Sequence, residues 1–329
     1  MLPTTSPDAP ATTHRPSNAL NSRKLHMMIF AGLALLLLAA PMVAYPVFLM
    51  KVLCFSLFAL SFNLLIGFGG LTSFGHAAFF GLGSYASAYL AKEAGLQPQW
   101  ALLAAVTASA LLGLLFAIVA IKREGIYFSM ITLALAQLVY FLAVQTPQFT
   151  GGENGIQAVP RGKLFGILDL TNDLALYFVV IALFMGSLAF IYRVIHSPFG
   201  EVCKAIRDNE PRAISLGYRV NRYKTALFVI SAAIAGLAGG TKAIVFQLAS
   251  LTDVHWSMSG EVILMTLLGG LGTIFGPIVG ATVVISMQNF LGFLGEWVVV
   301  VQGVVFAVCV LAFRDGIVGL LAKRSGRTI

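Results

Sequence analysis

Side chains able to move protons or hold a charged solute are scarce in the apolar stretches of this 329-residue chain, and His76 is almost alone among them. An ionisable group in such surroundings is either a proton carrier or a hydrogen-bonded structural residue, and the sequence leaves both readings open. His76 lies within GFGGLTSFGHAAFFGLGSYASAYL, residues 67–90, a run with six glycines together with Thr72, Ser73, Ser84 and Ser87. Small residues let helix backbones approach closely, and breaks in such a helix expose amides and carbonyls that must face protein or a water-filled cavity. Tight packing alone explains the composition; a solute path including Asn63, Ser73 and His76 is the alternative. A second run, LLGGLGTIFGPIVGA at 267–281, repeats the Gly-Gly-Leu triplet of 69–71 and reads as a turn followed by a closely packed helix, with Pro277 near its start. Glu261, just upstream, is either an interfacial acid or part of the same path.

Reactive constellations are absent from the sequence. It contains no G-x-x-x-x-G-K-[ST] phosphate cradle, no H-E-x-x-H, no G-x-S-x-G, no Cys/His metal spacing and no pair of acids at a predicted membrane centre. Cys54, Cys203 and Cys309 are odd in number and far apart, so they are read as small apolar filler rather than a disulfide framework. No catalytic residue, cofactor or metal is expected in this chain. A carrier that must bind and release a coupling proton or sodium ion has little here to work with. Energy must come from elsewhere, or the chain is a passive pore.

The elements that position these residues follow from composition. Hydrophobic residues make up 58% and charged residues only 10%, against about 25% charged in soluble domains, and the mean hydropathy is +0.90. Lipid is therefore the solvent for most of the chain, and the fold class is an all-α polytopic membrane protein. Runs long enough to span, some of them short or broken, are counted at 27–45, 47–66, 71–90, 100–121, 127–144, 174–195, 225–246, 258–271, 274–291 and 297–313. The ten-span arrangement with both termini inside places sixteen of the 21 lysines and arginines on the inner side. Lys92, Arg161 and Lys163 fall in outer loops, while Lys51 and Lys242 sit at outer helix ends, where their stems can snorkel. The net charge of +8 thus reports orientation and not nucleic-acid binding. Residues 1–26 read as a disordered cytoplasmic tail, 27–316 as the membrane domain and 317–329 as a cytoplasmic C-terminal tail. The AAPMVA that ends the first run invites a signal-peptide reading, but the preceding region is long and a span follows at once, so retention is expected.

Two loops carry more than connection. The outer loop, 145–173, contains FTGGENGIQAVPRGKLFG, whose glycines around Glu153 and Asn154 read as a turn; that surface could also dock a soluble partner or line an entrance. The inner loop HSPFGEVCKAIRDNEPRAISLGYRVNRYKTA, 196–226, is the most charged stretch of the protein. Ser197-Pro198 supplies a helix start, and Glu201, Lys204, Arg207 and Asp208 fall along one helical side. The interleaved Ala205, Ile206, Ala213, Ile214 and Leu216 suit a helix packing into a groove of a cytoplasmic protein better than a solvated loop.

Taken together, FNLLIGFGGLTSFGHAAFFGLGSYASAYL, FTGGENGI, SPFGEVCKAIRDNEPRAISLGYRVNRYKTALFVISAAIAGLAGG and LLGGLGTIFGPIVGA resemble the permease subunits of branched-chain amino acid ABC importers, specifically the longer of the two paired permeases, over residues 47–316. The resemblance implies a ten-span importer fold in a bacterial inner membrane. It also implies a second homologous permease, two cytoplasmic P-loop ATPase subunits that hold ATP and Mg, and a periplasmic or extracellular solute-binding protein. The segment at about 196–224 would hold the coupling helix seated on an ATPase, with Ala205, Ile206, Arg207, Asp208, Glu210 and Gly217 as contacts. It matches the EAA-type loop loosely, since Glu210 is followed by Pro211 and Arg212 and Gly217 falls one position late. The implied mechanism is alternating access powered by the ATPases. Rival expectations are a permease of the same family for urea, short amides or another small solute, a secondary carrier or channel, and a membrane scaffold.

Overall fold

A computed structural model of the chain describes residues 18–312 and 316–319, apart from 43, 167, 293, 294 and 296. The described residues are mostly helical: α1 (Asn18–Ala39), α2 (Pro46–Asn63), α3 (His76–Lys92), α4 (Pro98–Ala120), α5 (Gly125–Gln145), α6 (Pro147–Thr150), α7 (Asp173–Ile195), α8 (Pro198–Asp208), α9 (Glu210–Ser215), α10 (Val220–Phe246), α11 (Trp256–Gly269), α12 (Gly276–Phe290) and α13 (Trp297–Ala312). Helix starts follow local chemistry. Pro46, Pro98, Pro198, Pro211 and Pro277 stand in first turns, where a missing N–H costs nothing. Asn172, Ser197 and Asn209 cap α7, α8 and α9 by accepting from Leu174, Gly200 and Arg212 amides.

Each of the ten predicted runs overlaps a helix, but five helices are long and apolar enough to cross a membrane: α2 with the π-turn Leu64–Phe68 that extends it, α4, α5, α7 and α10. Helices α3, α11, α12 and α13 have 17, 14, 15 and 16 residues, so they are about 21–26 Å long against a hydrocarbon core of about 30 Å. Length and composition therefore single out five candidate crossings among the described residues. The break expected at Gly269-Gly270 is a turn between α11 and α12, with Gly270 at φ +121° and Gly272 at φ +72°. Of the expected N-terminal tail, 1–17 lie outside the described residues and 18–26 belong to α1; of the C-terminal tail, 320–329 lie outside them.

Helices α2 and α10 form the centre. α10 packs on α2, α3 and α4, and α2 packs in addition on α7, α11 and α12. The α10 face toward α3 and α4 is built from Ala232, Ala235, Gly236, Gly239 and Gly240, which brings backbones into direct contact. A Cβ on Gly239 would lie 1.9 Å from the Phe80 carbonyl oxygen, and one on Gly83 would lie 2.3 Å from that of Gly236. The periphery presents lipid-compatible surface, such as Leu111, Leu115 and Ile118 on α4 and Ile126, Met130 and Phe141 on α5.

Segments that alternate crossings would put on one side do meet. Residues 67–75, 196–219 and 269–276 gather at one end of the bundle through Arg207 to Gly67 and Asn63 to Thr273 contacts. Residues 146–172 and 247–255 gather at the other. There two short antiparallel ladders occur that the helical periodicity did not announce: Ile156–Gln157 pairs with Leu248–Ala249, and Lys163–Leu164 pairs with Leu168–Asp169.

The glycine contact generates the first prediction. Gly239→Ala forces two backbones apart and is expected to cost about 1–3 kcal/mol, seen as a lower melting temperature in detergent. Gly260→Ala, with open space around it, is expected to melt at or slightly above the parent temperature. Equal melting of Gly239→Ala and the parent would contradict the close crossing.

Candidate functional site

The end of the bundle where α2 stops is the densest meeting of the segments singled out from sequence. The last turn of α2 widens into the π-turn Leu64–Phe68, a form that recurs at functional positions. Asn63, buried at its start, uses both ends of its amide: Nδ2 donates to the Thr273 carbonyl at 2.8 Å and Oδ1 accepts from the Gly272 amide at 3.0 Å. Asn63 thereby staples α2 to the turn between α11 and α12. Only glycine fits at 67, since a Cβ would meet Asn63 Oδ1 at 2.5 Å and the Gly272 nitrogen at 2.7 Å.

The following loop is pinned from α5 and from within. Ser129 donates to the Thr72 carbonyl at 2.7 Å, Thr132 Oγ1 accepts from the Phe74 amide at 3.2 Å, and the buried Ser73 hydroxyl accepts from the Gly75 amide at 3.2 Å. His76 then opens α3, fully buried and ringed by Phe58, Phe62, Phe79 and Phe228. Its Nε2 lies 2.8 Å from Ser231 Oγ, which spends its own proton on the Ser61 carbonyl at 2.6 Å. Ser231 must therefore accept, so the ring carries a proton on Nε2. Nδ1 has no partner among the described residues. The chain His76–Ser231–Ser61 cross-links α3, α10 and α2.

The inner loop folds as two short helices, with Arg207 and Glu210 bonded to the bundle and Asp208 exposed. Ile206 is buried with Ala213 and Val220. Arg207 donates from Nη1 to the Gly67 carbonyl at 2.5 Å and from Nε and Nη2 to Asp208 Oδ1 at 3.0 and 2.8 Å. Glu210 pairs with the buried Lys224 at 2.5 Å. Gly217, at φ +86°, closes α9: its amide donates to the Ile214 carbonyl at 2.9 Å and that of Tyr218 to the Ala213 carbonyl at 3.2 Å, a Schellman ending. Ala205, Ile214, Leu216 and Tyr218 are left exposed, Leu216 by 68%. The buried Cys203 thiol is pushed up to about 11 by desolvation, which keeps it protonated and fits its reading as filler. Cys54 is likewise buried and free, while the side chain of Cys309 lies outside the described residues.

The remaining candidates lie toward the other end. Glu261, in α11, accepts from Gln288 Nε2 at 3.2 Å and interacts electrostatically with Lys51. Glu153 and Asn154 are exposed on a 3-10 turn (Gly152–Asn154) between glycines of positive φ, and Gly155 packs its backbone on the Ala249 carbonyl. The site residues thus fall into two groups, with Asn63, Ser73, His76 and Arg207 near one end and Glu261, Glu153 and Asn154 near the other.

Sequence reasoning missed a buried ion pair, and one expectation is corrected by it. Lys242 does not snorkel: it is 8% exposed and donates from Nζ to Asp253 Oδ2 at 2.7 Å and to the Leu248 carbonyl at 3.3 Å. Asp253, 2% exposed, also accepts from Ser84 Oγ at 3.1 Å and the Ser250 amide at 3.2 Å. The reason is its position in a capping box with Ser250, which fixes the carboxylate beneath the end of α10. The [ST]-x-x-[DE] spacing of Ser250 and Asp253 was the available signal. Among the described residues no group of three or more His, Cys, Asp or Glu is placed to hold a metal ion.

Comparison with known proteins adds the family. A family model described as "Branched-chain amino acid transport system / permease component" matches residues 45–311. The high-affinity branched-chain amino acid transport system permease proteins LivM of Salmonella typhimurium and Escherichia coli are each 29% identical over 266 residues, covering 74% of this chain and 63% of the relative. The chain therefore spans less than two thirds of the length of these relatives. The ribose import permease protein RbsC of Bacillus subtilis is 27% identical over 172 residues, covering 50% of this chain and 51% of the relative. No solved structure matches significantly.

The buried pair yields the second prediction. Asp253→Asn strands the Lys242 ammonium and is expected to cost about 3–5 kcal/mol, read as a large fall in melting temperature in detergent. The double change Lys242→Met with Asp253→Asn is expected to recover most of that loss. A single variant melting with the parent would show that the charges are not buried together.

Proposed function

Because this chain belongs to the family of branched-chain amino acid transport permease components, we propose that it is the membrane-spanning subunit of an ATP-driven importer for branched-chain amino acids. In this reading the ten helical runs cross a bacterial inner membrane, both termini are cytoplasmic, and a second related permease completes the translocation path. The sequence has no phosphate cradle of its own, so two cytoplasmic ATPase subunits supply ATP and Mg chemistry, and a soluble binding protein delivers the solute at the opposite face. The chain itself is a transport subunit and not an enzyme.

The observation that carries the reading is the outer surface of α9 and the residues after it. Ile214, Leu216 and Tyr218 are exposed at the fixed ending of a short helix, in a stretch with exposed Arg212, Arg219 and Arg222. Beside them an open hollow of about 480 Å³ is lined by Phe199, Gly217, Tyr218 and Tyr223. An apolar ridge with a basic rim is a docking surface for a groove of complementary shape and acidic edge. Exposed aliphatic residues at the polar end of a membrane bundle have no lipid to cover them, and a cytoplasmic subunit would.

Aliphatic amino acids are the favoured cargo because the relatives of wider coverage are named for them. The similarity to a ribose permease favours a second reading in which the scaffold serves another small solute, such as urea or a short amide, with selectivity held by the binding protein. Within the path, Asn63, Ser73, His76 and Glu261 remain the candidates nearest a solute. The hydrogen bonds of Asn63 and His76 suit them to hold its walls in shape more than to contact cargo.

The test is purification of the tagged chain from native membranes in mild detergent. The expected result is recovery of a second permease and two P-loop ATPases with vanadate-sensitive ATP hydrolysis, and leucine, isoleucine and valine uptake after reconstitution. The double variant Ile214→Asp with Leu216→Asp is expected to retain the second permease and lose the ATPases. A well-folded chain that purifies alone, without ATPase activity and with uptake driven by a proton or sodium gradient, would overturn the proposal in favour of a secondary carrier.

A further inference from the structure

Three of the four segments singled out from sequence, at 67–90, 196–226 and 267–281, meet at one point, and the side chain of Arg207 touches it. Arg207 lies in the C-terminal turn of α8, and its Nη1 donates to the carbonyl of Gly67 inside the π-turn of α2. Its aliphatic stem lies over Gly70: that residue has φ +68°, and a Cβ there would come within 2.8 Å of Arg207 Cγ. The guanidinium is oriented before it reaches Gly67, because Nε and Nη2 both donate to Asp208 Oδ1. Gly67 in turn presses on Asn63 and Gly272, and Asn63 holds Gly272 and Thr273 across the α11–α12 turn. That turn is itself braced, since Thr273 Oγ1 donates to the Gly270 carbonyl at 2.8 Å and accepts from the Gly276 amide at 3.1 Å.

We propose that Arg207 is a positioning residue that locks α8 to the π-turn, so that a displacement of α8 is passed at once to the 67–75 loop and, through Asn63, to the turn between α11 and α12. The docking surface and the transmission point are then separate. Ile214, Leu216 and Tyr218 receive the partner, and Arg207, part-exposed but bonded to Gly67, conveys its motion. A π-turn at the end of α2 is suited to this task, since such turns recur at functional positions and this one runs directly into the 67–75 loop. The planar fork of arginine matters as well. A lysine carries the same charge but cannot hold one oxygen of Asp208 with two converging donors and Gly67 with a third in fixed geometry.

This inference rests on the docking reading of the inner loop, and the experiment separates the two. Arg207→Ala and Arg207→Lys are introduced into the full transporter, which is assayed for subunit recovery, ATP hydrolysis and leucine uptake in proteoliposomes. The expected result is that both variants keep the ATPases and hydrolyse ATP at near parental rates while uptake falls at least tenfold, so that hydrolysis and transport part company. A residue that merely supported the fold would lower assembly, hydrolysis and uptake together, and that outcome in Arg207→Lys would overturn the proposal. Uptake within twofold of the parent in both variants would overturn it too, as would loss of the ATPases, which would make Arg207 a docking contact. Failure of the docking reading shows differently, as ATPase recovery that survives the Ile214→Asp, Leu216→Asp change. Asn63→Asp keeps the acceptor for Gly272 and removes the donor to Thr273, and it is expected to uncouple in the same way as Arg207→Lys.

Discussion

The contact on which the molecule depends is the meeting of α10 with α3 and α4 at backbone distance. Where Gly239 and Gly236 face Phe80, Gly83 and Ser109, there is no room for any side chain, and Ser109 closes the gap by donating to the Phe79 carbonyl at 2.9 Å. In lipid the hydrophobic effect does not hold helices together, so this close approach and the hydrogen bonds it permits must do so. Once α10 is fixed at its middle, its two ends are fixed as well. One end carries Lys242 to Asp253, and the other carries Lys224 to Glu210. A rigid central helix thereby connects the loops at one end of the bundle to the helical pair at the other.

The two ends are built in different ways. At the end that holds Asp253, a buried ion pair, a capping box and the Ile156–Gln157 ladder keep the chain in one arrangement, with Arg161 adding bonds to Asp173 at 2.6 Å and to the Val245 carbonyl at 3.0 Å. At the end that holds α8 and α9, one ion pair, Lys224 to Glu210, stands beside bonds that run from side chains to the backbone of glycine-rich turns: Asn63 to 272 and 273, Arg207 to 67, Ser129 to 72. Such turns have few side chains to interlock, so their shape is set by what grips them from outside. Under the proposed importer role, this asymmetry suits a subunit that responds to a cytoplasmic partner at one end while the opposite end keeps its form.

The helices were legible in the sequence because an apolar run bounded by polar residues is a local signal, and each of the ten runs overlaps a helix. The helical inner loop was legible from Ser197-Pro198 and the spacing of its charges. The direction of those charges was not. Arg207 and Glu210 read as outward contacts, yet the rotation of α8 and α9 is set by burial of Ile206 and Ala213, which turns the charges toward Gly67 and Lys224. The pairing of Lys242 with Asp253 joins a helix to a loop, and the ladder at Ile156 joins residues 93 positions apart, as the register Ile156↔Ala249 records. Neither leaves a periodic trace. His76 was visible as an exception to the apolar rule, but its partners at 61 and 231 were not.

The Asn63 staple also has a history in time. Its partner carbonyl belongs to a residue 210 positions later in the chain, and at a synthesis rate of about 5–20 residues per second the interval is roughly 10–40 s. For that period the nascent α2 carries an amide with neither bond made, and the π-turn beyond it has nothing to press against. Membrane insertion of α2 must therefore proceed with that end unfinished, and the later-made α11 and α12 complete it.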